Sequence, residues 1–176
     1  MDDVTIYEKL PNVATDREVL FTLRNTPLLE QGTIYGPLAT AENLWVNLKV
    51  YASGGENALH SHAGEDHAFI ILQGKATFTF VDGSTKVVGK YDGVMIPKNA
   101  KYKFEADEAE NLVMIRVGGG VRTETGLANL TSFGTPKDVI AKTSLANGEL
   151  KDGNAKKNGE SGKKRVYAPG KFFAAD

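Results

Sequence analysis

An all-β domain, a jelly roll or small barrel, is the architecture this sequence predicts, and three observations carry it. Segments with helical periodicity are hard to find, while Gly is frequent, 19 of 176 residues. About eight short apolar or alternating runs lie between residues 43 and 118. Each is set off from the next by Gly, Asp or Pro, the punctuation of short strands joined by tight turns.

Residues 1–42 form a leader of short apolar groups broken by Pro11, Pro27 and Pro37, in which Glu18 to Arg24 and Gln31 to Tyr35 are strand candidates. It is too short for an independent domain and carries apolar residues to bury. Asn43 to Ala52 alternates: Leu44, Val46, Leu48 and Val50 share one face, and Trp45, Asn47, Lys49 and Tyr51 share the other. Period-two alternation marks a half-buried strand. Its mixed second face either sees solvent or lines a polar cavity, solvent being the simpler reading. Lys75 to Val81 places Ala76, Phe78 and Phe80 on one face, Asp82-Gly83 signals a hairpin, and Ser84 to Val88 returns. Val94 to Ile96 is a short buried strand closed by Pro97, Tyr102 begins another, and Leu112 to Val117 is nearly continuous apolar strand. From Gly118 onward the texture changes. Residues 119–176 read as an irregular extension with a polar, glycine-rich, flexible loop at 147–165, ending in an aromatic tail that wants a surface to dock on.

The stretch Gly54 to Gly74 holds all 3 histidines of the chain, His60, His62 and His67. His60 and His62 are two apart, so on a strand both point to one face. His67 opens the apolar run to Leu72 on the face of Phe69 and Ile71, after the acidic turn Ala63 to Asp66. That turn can bring the third imidazole beside the other two. Imidazole is the commonest metal-ligating side chain, and a convergent trio would hold a divalent ion with positions open for water or substrate. Asp66 is an alternative ligand with His67 turned away, although alternation puts Asp66 in the solvated turn. Glu65 or Asp66 could instead orient an imidazole from behind.

Gly54, His60, His62 and Gly74 fall where the first signature of the cupin family has Gly, His-x-His and Gly, and His67 stands at its carboxylate position. The family's second signature runs Gly, five residues, Pro-x-Gly, two residues, His, three residues, Asn. Residues 89–106 resemble it more loosely: Pro97 fits, Asn99 replaces a Gly, and Tyr102 stands in the place of the ligand histidine. The resemblance implies a cupin-type jelly-roll barrel over 43–118, with the strand leader 1–42 packing on the barrel or crossing to a partner subunit, and the extension after it. It also implies a metal centre, here His60, His62 and His67 with Tyr102 facing it as ligand, acid/base or wall residue. Iron is the first expectation, with zinc, nickel and manganese following. A metal-dependent enzyme acting on a small anionic or chelating substrate is expected, its chemistry oxygenase-like (a dioxygenase-type oxidoreductase) ahead of lyase or isomerase. A non-catalytic module that binds or senses a ligand or metal is the alternative, since the same fold hosts both.

Composition narrows the partners. Formal net charge is -1, so no attraction to nucleic acid or anionic membrane is implied. The absence of Cys removes disulfides, thiolate sites and cysteine nucleophiles together. The acidic N-terminal segment lacks the features of a signal peptide, no apolar run approaches a membrane span, and the expected setting is the cytoplasm. The apolar residues of leader and tail point to a homodimer.

Overall fold

The computed structural model describes residues 18, 20–41, 44–62, 65–119 and 165–175. These hold eleven strands: β1 (Thr26–Gln31), β2 (Thr33–Thr40), β3 (Leu44–Tyr51), β4 (Gly54–His60), β5 (Asp66–Gln73), β6 (Lys75–Phe80), β7 (Thr85–Gly89), β8 (Gly93–Ile96), β9 (Tyr102–Ala106), β10 (Leu112–Gly119) and β11 (Val166–Phe173). No helix among the described residues is long and apolar enough to cross a membrane. The expected loop at 147–165 lies outside the described residues except for Arg165.

The strands form a five-stranded sheet of order β2-β3-β10-β5-β8, a four-stranded sheet of order β4-β9-β6-β7 and a two-stranded ribbon, β1-β11. All pairings are antiparallel. This is the all-β jelly roll that the short, punctuated strands predict. Side chains of both larger sheets meet in one core: Tyr51, Phe69, Ile71, Ile96, Leu112 and Met114 from the first, Ala76, Phe78, Val88, Tyr102, Phe104 and Ala106 from the second. Alternation delivers them. In β5 His67, Phe69 and Ile71 are buried while Asp66 and Ile70 are exposed, and in β9 Tyr102, Phe104 and Ala106 are buried around half-buried Lys103 and exposed Glu105.

Two expectations for the N-terminal half change. Residues 20–23 carry no strand, and β1 starts only after Asn25. Asn25 takes the left-handed conformation at φ 56°, which breaks an extended run. The mixed face of β3, expected in solvent, lies inside: Trp45, Asn47, Lys49 and Tyr51 are all buried. The opposite face is covered too. Leu48 and Val50 join Leu29, Ile34, Leu38 and Val113 in a second core, with Leu28 and Phe173 packed against it. The β1-β11 ribbon therefore lies over the outside of the five-stranded sheet, and β3 is buried on both faces.

The ribbon is pinned by one side chain. Asn111 accepts the Leu29 N–H on Oδ1 at 2.6 Å and donates from Nδ2 to the Leu29 carbonyl at 2.8 Å, the two bonds a neighbouring strand would have made. The aromatic tail thus docks on the chain's own leader, Phe172 opposite Pro27 and Phe173 opposite Thr26.

The loosely matched second signature is explained by the backbone. Asn99 has φ 65°, so the place where the signature has Gly does need the left-handed region, and Asn is one of the few residues that tolerate it. Six residues before Pro97, where the signature has its first Gly, Tyr91 is held at φ 73°.

Candidate metal centre

The site lies at the end of the barrel where β4 finishes and β5 and β9 begin. Antiparallel register sets the residues side by side: His60 is opposite Tyr102, His67 is opposite Gly118 and Ile96, and Arg116 lies between Asn47 and Phe69. His62, just beyond β4, follows His60 inward, with ring centroids 5.2 Å from His60 and 4.9 Å from His67.

One ligand atom each from His62, Glu65 and His67 lies within 4.8 Å of the others. Glu65 and His67 are buried and His62 is nearly so. Glu65 Oε1 is 3.2 Å from His62 Nδ1 and 4.0 Å from His67 Nδ1. His67 Nε2 is buried without a hydrogen-bond partner among the described residues, which is costly unless something else satisfies it. Two imidazoles and a carboxylate, with one imidazole nitrogen still open, are a donor set that fits a divalent metal ion.

The structure places the expected residues unequally. His62 and His67 enter this group. His60 stands beside it: its Nδ1 bonds to the Ala58 carbonyl oxygen at 3.0 Å, and its ring lies 4.6 Å from that of Tyr102. Tyr102 is fully buried and faces all three imidazoles, at 5.4 Å from His67 and 6.3 Å from His62. Asp66 is exposed and accepts the Lys98 N–H at 2.8 Å, so it does not replace His67. Its neighbour Glu65 is the inward acid.

Two further residues complete the site. Trp45 donates its indole N–H to Glu65 Oε2 at 3.3 Å. Arg116 lies beneath the donors, its Nη2 3.0 Å from His62 Nε2, 3.1 Å from Glu65 Oε1 and 3.5 Å from His67 Nδ1. Its guanidinium is 4.9 Å from the Trp45 ring and 5.6 Å from that of Phe69, within cation–π range. The guanidinium only donates, so His62 Nε2 accepts and the His62 proton sits on Nδ1, towards Glu65. Deeper in the barrel Lys49 is fully buried, donating to Tyr35 Oη at 3.1 Å, and Tyr35 and Tyr51 share a hydroxyl bond of 2.7 Å.

These contacts set the protonation states. Burial pushes the Glu65 carboxyl up to about 7, against the lowering pull of Arg116, the Trp45 N–H and Lys49. Burial, then the charges of Arg116, His62, Lys49 and His60, hold His67 down to about 2, so its imidazole is neutral and available as a ligand.

Residues 47–118 match the family model described as the cupin domain. Among solved structures, the chain is similar to a Ralstonia eutropha protein assigned as a mannose-6-phosphate isomerase, at 16% identity and TM-score 0.50, covering 55% of this chain and 92% of that one. It is also similar to KdgF from a Halomonas species, at 17% identity and TM-score 0.47 with 53% and 84% covered. A third is a cupin superfamily protein of Desulfitobacterium hafniense, at 20% identity and TM-score 0.45 with 64% and 99% covered. The first of these bears on the fold alone. No curated protein matches the chain.

Proposed function

With residues 47–118 a cupin domain, we propose that this chain is a metal-dependent enzyme acting on a small anionic or chelating substrate, with oxygenase chemistry ahead of lyase or isomerase chemistry. The observation that carries this reading is the convergence of His62, Glu65 and His67 within 4.8 Å at a buried end of the barrel. Two histidines and one carboxylate are the donor set of non-haem iron oxygenases, which makes iron the first candidate ahead of zinc, nickel and manganese. Bound there, such an ion would supply Lewis-acid and redox chemistry to a substrate that chelates it. The chain's own residues do the rest. His62, Glu65 and His67 would hold the ion. Tyr102 and His60, paired across β9 and β4, line the adjacent wall, where the Tyr102 hydroxyl can donate to or take a proton from bound substrate. The aromatic floor of Phe69, Phe78 and Phe104 excludes water.

A second reading, a module that binds a small ligand and turns nothing over, is favoured by one observation: a guanidinium already sits on the donors a metal would use. Metal analysis of the purified protein, then oxygen uptake on a panel of small acids and diketones, separates the two. The enzyme reading expects one equivalent of ion, its loss in His62→Ala, and turnover that falls in Tyr102→Phe with the metal retained. Failure of the purified, reconstituted protein to bind iron, zinc, nickel or manganese would sink it.

A further inference from the structure

We propose that Arg116 is the resident cation of this site, and that a metal ion loads only by exchanging with its guanidinium. The inference rests on the metal reading above and goes beyond it, because it assigns to a strand residue the control of which ions the site accepts. A hydrogen bond and a coordinate bond to an imidazole nitrogen both use its one in-plane lone pair. The His62 Nε2 lone pair is taken by Arg116 Nη2 at 3.0 Å, and the same Nη2 stands 3.1 Å from Glu65 Oε1. An ion held by those two atoms would meet the guanidinium on them, and a second positive centre in so buried a pocket is strongly repelled. For an ion on His62 Nε2 and Glu65 Oε1 the two occupants are therefore mutually exclusive.

Arg116 is held for this role. It projects inward from β10, 1% exposed, with Trp45 and Phe69 rings flanking its plane. Unlike lysine or histidine it cannot give up its charge, so deprotonation of the cation is not a route by which the donors are vacated. The exchange lowers every ion's affinity by one common factor. Ions at the weak end of the series therefore lose the site at concentrations where those that bind imidazole strongly still hold it. Arg116 sets a threshold.

The chain has 1 Trp, and Trp45 touches both Arg116 and Glu65, so its fluorescence reports the exchange in the full-length protein. The probe is Zn²⁺, added to chelator-treated protein at pH 7.5. In wild type, saturating Zn²⁺ should change Trp45 emission with an end point at one equivalent. Arg116→Met, read by calorimetry, should bind Zn²⁺ about tenfold tighter or more, the free energy of one hydrogen bond to a charged group. Arg116→Ala leaves a guanidinium-sized space, and added methylguanidinium should weaken its Zn²⁺ binding back towards wild type, an effect that a merely structural role for Arg116 does not produce. Zn²⁺ affinity equal to or weaker than wild type in both variants would overturn the exchange and leave the metal reading standing. Unchanged Trp45 emission in zinc-saturated wild type would do the same without any variant. Failure of wild type and both variants alike to bind Zn²⁺ would remove the metal reading, and the exchange with it.

Discussion

Gly118→Ala tests whether the wall behind the site is built as described. Gly118 lies opposite Trp45 on β3 and opposite His67 on β5, and the indole occupies the space where a side chain at 118 would begin. A methyl added at Gly118 would fall inside contact distance of Trp45 Cζ2 and Cε2 and 2.7 Å from Cη2. The ring cannot yield cheaply: Trp45 is 1% exposed, tied by its N–H to Glu65 and flanked by Arg116. Overpacking of this kind costs about 1–3 kcal/mol. Moving the indole also breaks its bond to Glu65, leaving a buried donor unpaired at about 1–3 kcal/mol. Together these predict a loss of about 2–6 kcal/mol. At a slope of about 2 kcal/mol per M, the urea midpoint should fall by about 2 M, and Trp45 emission of the folded state should shift to the red as the ring moves. A variant with the wild-type midpoint and emission would show that the indole does not lie against Gly118.

Three further perturbations address other parts of the fold. Asn111→Ala should cost about 2–6 kcal/mol, because the Leu29 N–H and C=O are left without partners at about 1–3 kcal/mol each; limited proteolysis should then cut within 26–31 while the barrel stays intact, and a wild-type digestion pattern would refute the clamp. Tyr91→Gly should stabilise by about 0.5–1 kcal/mol, since Tyr91 is exposed and held at φ 73°, where a non-glycine residue carries about 1–2 kcal/mol of strain offset in part by the entropy of Gly; a lower urea midpoint would contradict it. The third concerns pH in the metal-free protein. His67 goes from 6.5 unfolded to about 2 folded, so the unfolded chain takes up the proton first, and the stability from this residue, full above pH 6.5, is lost as pH falls towards 2. Glu65, raised from 4.5 to about 7, has the opposite sign: its contribution is full below pH 4.5 and is lost as pH rises through 7. The two oppose each other between pH 4.5 and 6.5, and below 4.5 His67 acts without that opposition. His67→Phe should therefore flatten the stability curve between pH 4.5 and 3 by about 1.4 kcal/mol per unit, and parallel curves for variant and wild type would refute the assignment.

Much of the barrel was legible because alternation is a local signal. The inward sets His67-Phe69-Ile71 and Ala76-Phe78 follow from spacing alone, and the histidine triplet marked the functional end. Spacing divides a strand into two faces without saying what covers each, and this is where β3 was misread. Trp45, Asn47, Lys49 and Tyr51 look like a solvent face until the β1-β11 ribbon is known to cover the other one. That ribbon joins segments from opposite ends of the chain, and no local pattern announces such a pairing. Arg116 was hidden differently, as one charge within the run Leu112 to Val117, where an apolar reading absorbs it. Its inward position follows from the parity of Leu112 and Met114, a signal that was available. Glu65 and Asp66 are adjacent acids in one turn. Parity put Asp66 outside correctly, but Glu65 lies before the strand begins, where parity no longer applies.

The ribbon also has a consequence for the order in which the molecule can be made. On the ribosome, β2 to β10 emerge with every pairing of the two larger sheets available to them, whereas β1 must wait for β11, the last described strand to be synthesised. Until Val166–Phe173 appears, the described residues offer the stripe of Leu48, Val50 and Val113 an unpaired β1, tethered through Asn111, in place of the finished ribbon. Among the described residues, a chain paused before residue 166 thus has its two larger sheets but an uncovered apolar flank, the kind of surface that invites aggregation. Pairing of Val166–Phe173 with β1 closes that flank.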